Sequence, residues 1–217
     1  TRLLKALADI DLPVLLSIGG GTLEETKRAL SILNSKTRKS PIVLMHGFQS
    51  YPTLVEHTNL AKMRYFKDKL DLPIGFADHI DGAHLLNFGL CAMAVGMGAS
   101  VIEKHITISR TLKMEDYESA LCPEDFVEFV VKVRELDSAK GKYSDELIEV
   151  EAKYRADTRK HVVAAAPVKA GSIIKEEDVT LRRASSEMEP SDLEAVIGKR
   201  AEKDYAINDI MHSETLQ

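Results

Sequence analysis

This 217-residue sequence predicts an α/β protein built on parallel strands, and three observations carry that prediction. Apolar strand-like runs alternate with amphipathic helix-like runs through the first half of the chain. The strand runs are near-continuously apolar, the pattern of strands buried on both faces of a parallel sheet. Near His161 the composition shifts to β-branched runs and turn residues, which marks a small second domain.

The chain opens in a helical pattern, TRLLKALADI, as though a preceding strand were missing. LPVLLSIG (Leu12 to Gly19) is the first strand run. TLEETKRALSIL follows it, with Leu23, Ala29, Leu30 and Leu33 at helical spacing behind a Thr22 N-cap. PIVLMHG (Pro41 to Gly47) leads through a Tyr51-Pro52 loop into the helix HTNLAKMRYFKDKL. PIGFADH (Pro73 to His79), the helix HLLNFGLCAMAVGMG and the strand SVIEKH (Ser100 to His105) complete the alternation. CPEDFVEFVVKVRELDSAKG predicts one more amphipathic helix, with Pro123 in its first turn and Gly141 past its end. KYSDELIEVEAKYRADTRK is highly charged and offers little to a core, so a linker is expected there. HVVAAAPVKAGSIIKEEDVTLRRAS then brings the second domain, with a turn at Lys169-Ala170-Gly171.

The predicted boundaries are a first domain over 1–140, a linker over 141–158 and a second domain over 159–217. Such a second domain lies near the lower size limit for independent folding. The four strand-helix units fall far short of the roughly 250 residues that a closed (β/α)8 barrel takes. Half a barrel at most is expected, with an amino-terminal half outside this sequence; a complete four-stranded open sheet is the alternative.

A net charge of −5, spread along the chain with no basic stripe, argues against nucleic acid and acidic membrane surfaces as partners. No apolar run approaches a membrane span, and the opening residues resemble neither a signal nor a transit peptide. A cytoplasmic location is the default expectation. Cys91 and Cys122 are too few for a disulfide framework and lack metal-ligand spacing, so both are expected to be reduced.

His79 and His105 are the main candidates for chemistry, because each ends a predicted strand and the two strands are consecutive. Parallel neighbours lie about 4.8 Å apart, and functional groups of parallel α/β folds gather beyond the strands' carboxyl ends. Two converging imidazoles can hold a divalent metal and leave positions open for a substrate oxygen and water. Alternation puts Glu103 on the side of His105, where it can orient a metal-bound water, or else pair with an inward Lys or Arg. Asp78 faces away from His79 and is expected to serve the turn or support the site. His46 is expected to be packing.

SIGGG (Ser17 to Gly21) precedes a helix, where backbone N–H groups can hold a phosphate, although a plain turn fits the same residues. HGFQSYPT contributes Gln49, Ser50 and Tyr51, polar groups able to orient a hydroxyl-rich substrate. Asp116, after the fourth strand, can bind sugar hydroxyls or move protons.

Taken in order, these residues resemble the sialic acid synthase (N-acetylneuraminate synthase) family. The family's series of motifs appears as Ser17-Ile18-Gly19, Tyr51-Pro52, Ala77-Asp78-His79 and Glu103-Lys104-His105-Ile106-Thr107, followed by Met114-Glu115-Asp116-Tyr117 at its Gly-Pro-Asp-His segment. The tail resembles the family's SAF or antifreeze-like domain through VVAAAPVKAGSIIKEEDV, Arg183, Pro190 and VIGKRAEKDYAINDIM.

The resemblance implies the carboxyl-terminal half of a (β/α)8 TIM barrel followed by a small SAF (antifreeze-like, β-clip) domain. It implies a transferase that condenses phosphoenolpyruvate with an N-acylated hexosamine to a nine-carbon 2-keto sugar acid and releases phosphate. A divalent metal, Mn2+ or Mg2+, would sit on His79 and His105. Ser17 and Gln49 match phosphoenolpyruvate-side positions, Tyr51 and Asp116 match sugar-side positions, and Arg183 matches a residue that reaches the partner subunit's site in a domain-swapped homodimer. Two departures stand out: Ala77 replaces the serine of Ser-Asp-His, and Arg183-Ala184-Ser185-Ser186-Glu187 replaces Arg-Pro-Gly-x-Gly. A non-catalytic remnant that binds carbohydrate or a partner is the alternative reading.

Overall fold

The computed structural model describes residues 1–35, 39–186 and 188–217, which fall into two units, Thr1–Lys142 and Tyr143–Gln217. In the first, the helical opening forms α1 (Arg2–Ala8), and four strand-helix pairs follow. They are β1 (Val14–Ser17) with α2 (Leu23–Leu33), β2 (Ile42–His46) with α3 (Leu60–Leu70), β3 (Ile74–Asp78) with α4 (Asn87–Gly96), and β4 (Ala99–Lys104) with α5 (Pro123–Ser138). The strands form one parallel sheet in chain order, so their carboxyl ends line one rim.

Local chemistry explains the boundaries. Thr22 caps α2 by accepting from the Glu25 N–H at 3.2 Å, while the Glu25 carboxylate accepts from the Thr22 N–H at 2.8 Å, a capping box. Pro123 opens α5 where its missing N–H costs nothing, and Gly141 lies past the end with φ +60°.

Strand alternation divides the sheet. Ile42, Leu44, Ile74 and Phe76 pack with Leu33, Met63, Phe66 and Leu90 of the helices in one core cluster. Every position of β3 is buried, as near-continuous apolarity predicts. That expectation fails for β1, where Leu15 is 55% exposed: β1 is an edge strand, and the parity opposite to the helices has no cover there.

The second unit contains α6 (Glu149–Thr158) and an antiparallel pair, β5 (Lys160–Ala164) with β6 (Val179–Arg183). Isolated bridges Val163 to Ile210, Val168 to Tyr205 and Ile173 to Arg200 tie its loops around a core of Val162, Ile174, Val196, Tyr205 and Met211. The Lys169-Ala170-Gly171 turn is held by Asp204, which accepts from the Ala170 N–H at 2.8 Å and from Lys169 Nζ at 2.6 Å. Helix α6 lies within the stretch expected to be a linker. It buries no residue, so no apolar stripe announces it; Glu, Ala, Lys and Arg are good helix formers, and the Glu151 carboxylate accepts from the Ile148 N–H at its start.

Candidate active site

His79 and His105 emerge one residue beyond β3 and β4, and their ring centroids are 5.1 Å apart. The His79 ring is buried. Its Nδ1 lies 3.0 Å from the Ala77 carbonyl, which can only accept, so Nδ1 carries the proton and Nε2 keeps its lone pair. Burial, and secondarily the neighbouring His105, hold the His79 imidazole below its ordinary pKa and favour that neutral form. The His79 backbone carbonyl is clamped as well, accepting from the Thr53 N–H at 2.8 Å and from Ser119 Oγ at 2.6 Å. The His105 carbonyl accepts from the Leu121 N–H at 2.9 Å.

Tyr51 joins both rings. It packs edge-on against His79 at 5.3 Å and against His105 at 5.6 Å. Its loop follows β2 through a cis Tyr51-Pro52 bond, and the Thr53 hydroxyl donates to the carbonyls of Phe48 and Ser50, which closes the loop on itself. Burial and the nearby carboxylates of Asp116, Glu103 and Glu115 raise the phenol pKa, so the hydroxyl stays a donor at neutral pH. Asp116 Oδ2 lies 3.8 Å from His105 Nδ1, and both side chains are partly exposed. Asp116 itself has φ +58°, a left-handed conformation that Asp tolerates better than most residues, at the entry of the short turn Tyr117–Ser119.

The remaining candidates divide. Ser17 ends β1, Gln49 follows β2 and Glu103 lies on β4; all three are exposed. Glu103 acts on Tyr51 and His79 through its charge. SIGGG forms a plain turn into a helix whose N-terminus the Glu25 carboxylate already occupies, the arrangement opposite to a vacant anion cradle. His46 is packing, as expected: Nε2 donates to the Thr58 carbonyl at 3.0 Å and the ring stacks on Phe76. Arg183 ends β6 in the second unit with an exposed side chain, and Glu187 in its loop lies outside the described residues.

Small residues set the strand ends close together. A Cβ on Gly19 would collide with the Gly47 carbonyl oxygen, and one on Gly47 would collide with the Ala77 carbonyl and stand 2.8 Å from the Ala77 Cβ. Ala77 is therefore part of a tight ladder across β1, β2 and β3.

One feature escaped the sequence reading. Asp78 and Lys104, each immediately before one of the two histidines, form an ion pair of 2.7 Å, with side-chain exposures of 0% and 1%. The signal was present in equal offsets, Asp-His and Lys-His, which alternation carries to a shared opposite face. A charge inside a strand ordinarily implies exposure, which hid it.

The donor set fits a divalent cation. Two imidazoles meet at a strand rim, His79 is fixed with Nε2 free, and the Asp116 carboxylate stands near. Among the described residues no group of three or more His, Cys, Asp or Glu side chains has the geometry of a metal site, so the remaining positions would fall to water or substrate. No helix of the described residues is long and apolar enough to cross a membrane.

Comparison with known proteins adds a frame to this geometry. Residues 1–145 match the model of the NeuB family, and residues 159–210 match that of the SAF domain. N,N'-diacetyllegionaminic acid synthase of Campylobacter jejuni is 29% identical, over 96% of this chain and 61% of its own length. Pseudaminic acid synthase of the same species (strain 81-176) is 32% identical, over 92% of this chain and 56% of its own. The crystal structure of N-acetylneuraminic acid (sialic acid) synthetase from Leptospira borgpetersenii, in complex with citrate, superposes with a TM-score of 0.63 at 34% identity, over 71% of this chain and 53% of the other. The chain thus spans little more than half the length of the relatives it matches.

Proposed function

The chain belongs to the NeuB family, and from that premise we propose that it carries the carboxyl-terminal part of a synthase that condenses phosphoenolpyruvate with an N-acylated hexosamine. The product would be a nine-carbon 2-keto sugar acid. Carbon 3 of phosphoenolpyruvate attacks the aldehyde of the open-chain sugar, water adds to carbon 2, and phosphate leaves by C–O cleavage. The observation that carries this reading is the convergence of His79, His105, Tyr51 and Asp116 at the carboxyl rim of a parallel sheet.

His79 and His105 would hold a divalent cation, which supplies Lewis acidity to a carbonyl oxygen. Imidazole donors favour Mn2+ over Mg2+, because Mg2+ takes almost only oxygen ligands. Tyr51, kept protonated, donates a hydrogen bond to a sugar oxygen, and Asp116 accepts from sugar hydroxyls. Glu103 orients water on the β4 side, while Ser17 and Gln49 face the phosphoenolpyruvate end. The names of the relatives, legionaminic, pseudaminic and N-acetylneuraminic acid synthases, support a bulky N-acylated acceptor as a class. The same reading makes this a cytoplasmic enzyme that works as a domain-swapped homodimer, with Arg183 serving the partner subunit's site.

Phosphate release from phosphoenolpyruvate, measured with N-acetylmannosamine and related amino sugars with and without Mn2+, tests the reading. Release that requires both sugar and Mn2+ is expected. Sugar binding with no release under any condition would favour the carbohydrate-binding alternative.

A further inference from the structure

Asp78 and Lys104 are cross-strand partners at the ends of β3 and β4, and they are the residues directly ahead of His79 and His105. Their side chains point to the face opposite the two imidazoles, into the core shared with the helices. The carboxylate makes more than one contact. Oδ2 accepts from Lys104 Nζ at 2.7 Å and from the Cys91 thiol of α4 at 3.7 Å, while Oδ1 accepts from the Ile80 N–H at 3.2 Å. It therefore holds the neighbouring strand, a helix and the chain leaving His79.

A dry ion pair is a poor way to gain stability, since an apolar pair of similar volume does as well or better. Specifying one arrangement is a better-supported reason for such a pair, and this ladder has a register to specify. Between β3 and β4 the pairing is irregular at its base: Ile74 stands opposite Ala99 and Gly75 opposite Val101, so one β4 residue is passed over. A slip of one residue at the other end would turn a histidine away from the rim and separate two charges in an apolar core.

We propose that the Asp78–Lys104 ion pair is the positioning device that pins the β3–β4 register and so sets the spacing of the His79 and His105 rings. The proposal rests on the reading that these rings hold a divalent cation. Neither Asp78 nor Lys104 touches that cation; they act through the backbone of the residues that do.

The test is Mn2+ binding by titration to the whole chain without substrate, alongside the thermal midpoint. The double variant Asp78→Leu/Lys104→Met removes both charges together and avoids leaving one buried alone. It is expected to keep its thermal midpoint and to bind Mn2+ at least about tenfold more weakly, the low end of what supporting residues contribute to metal affinity. Asp78→Asn, which keeps the shape and the acceptor for the Ile80 N–H, gives the same readout if the double variant does not fold. A folded variant that binds Mn2+ as the unaltered chain does overturns the positioning role while leaving the cation site intact. No Mn2+ binding by the unaltered chain overturns the cation reading and this proposal with it.

Discussion

Among the described residues there are two pairs of adjacent histidines, one in each unit, and their surroundings differ. His79 and His105 lie 5.1 Å apart, and His161 and His212 lie 5.7 Å apart. The first pair stands at the carboxyl rim of a parallel sheet, with His105 partly exposed, Tyr51 against both rings and Asp116 within reach. The second is closed in, with both residues buried and both Nδ1 atoms without a hydrogen-bond partner. His212 Nε2 makes a long 3.4 Å contact with Ser186 Oγ. Two adjacent imidazoles do not by themselves make a site. A site also needs an opening, polar company and a support that fixes the rings, and only the first pair has all three.

Removing the support should have the largest effect. Asp78→Ala leaves Lys104 charged and alone in the core, and a loss of about 3–5 kcal/mol in urea unfolding of the first unit is expected. A loss below about 1 kcal/mol would place the pair among ordinary surface salt bridges and weaken the contrast.

The proposed ligands come next. His79→Ala and His105→Ala should each weaken Mn2+ binding by about 100-fold or more in calorimetric titration, whereas His161→Phe and His212→Phe should leave it unchanged. Equal losses in both pairs would erase the distinction between them.

The closed pair makes its own prediction, in pH. Burial, the His212 ring and the Arg159 guanidinium lower the His161 pKa, with Glu189 opposing them. Below the unfolded imidazole value of about 6.5 the unfolded chain then binds more protons than the folded one. The contribution of His161 to the second unit's stability is therefore complete above that value and is lost as pH falls through it toward the folded pKa. Thermal unfolding of the second unit should move to lower temperature between about pH 7.5 and 5, and His161→Phe should flatten that dependence. An unchanged slope in the variant would show that another group carries it.

Smallest is the effect of Tyr51→Phe. The ring contacts with both histidines survive and only the proposed hydrogen bond to substrate is lost, so a rise in sugar KM of about tenfold or less is expected, with Mn2+ affinity unchanged. A large loss of Mn2+ affinity would instead make the hydroxyl part of the cation site.

Much of the first pair could be read directly from the residues. Pro and Gly bracket the strand runs, alternation assigns the faces, and parallel order carries His79 and His105 to one rim, as the register bears out. Tyr51 and Asp116 were named from their loops, but their approach to the rings depends on the fold of those loops: the closure through Thr53 and the left-handed Asp116 backbone have no periodic signature. The buried ion pair lay in plain view as Asp-His and Lys-His, but charge reads as exposure until the partner strand is known. Helix α6 was illegible for the reverse reason, because a helix with no buried face has no apolar period to detect.

Ligation of a divalent cation by the strand-rim pair, and not by the enclosed pair, is the proposal on which these contrasts depend. Pulsed electron paramagnetic resonance of Mn2+ bound to the whole chain labelled with 15N-histidine measures ligation directly. Coupling to two imidazole nitrogens is expected, halved in His79→Ala and in His105→Ala and unaltered in His161→Phe. Bound Mn2+ with no nitrogen coupling, or coupling lost only when His161 or His212 is replaced, would contradict it.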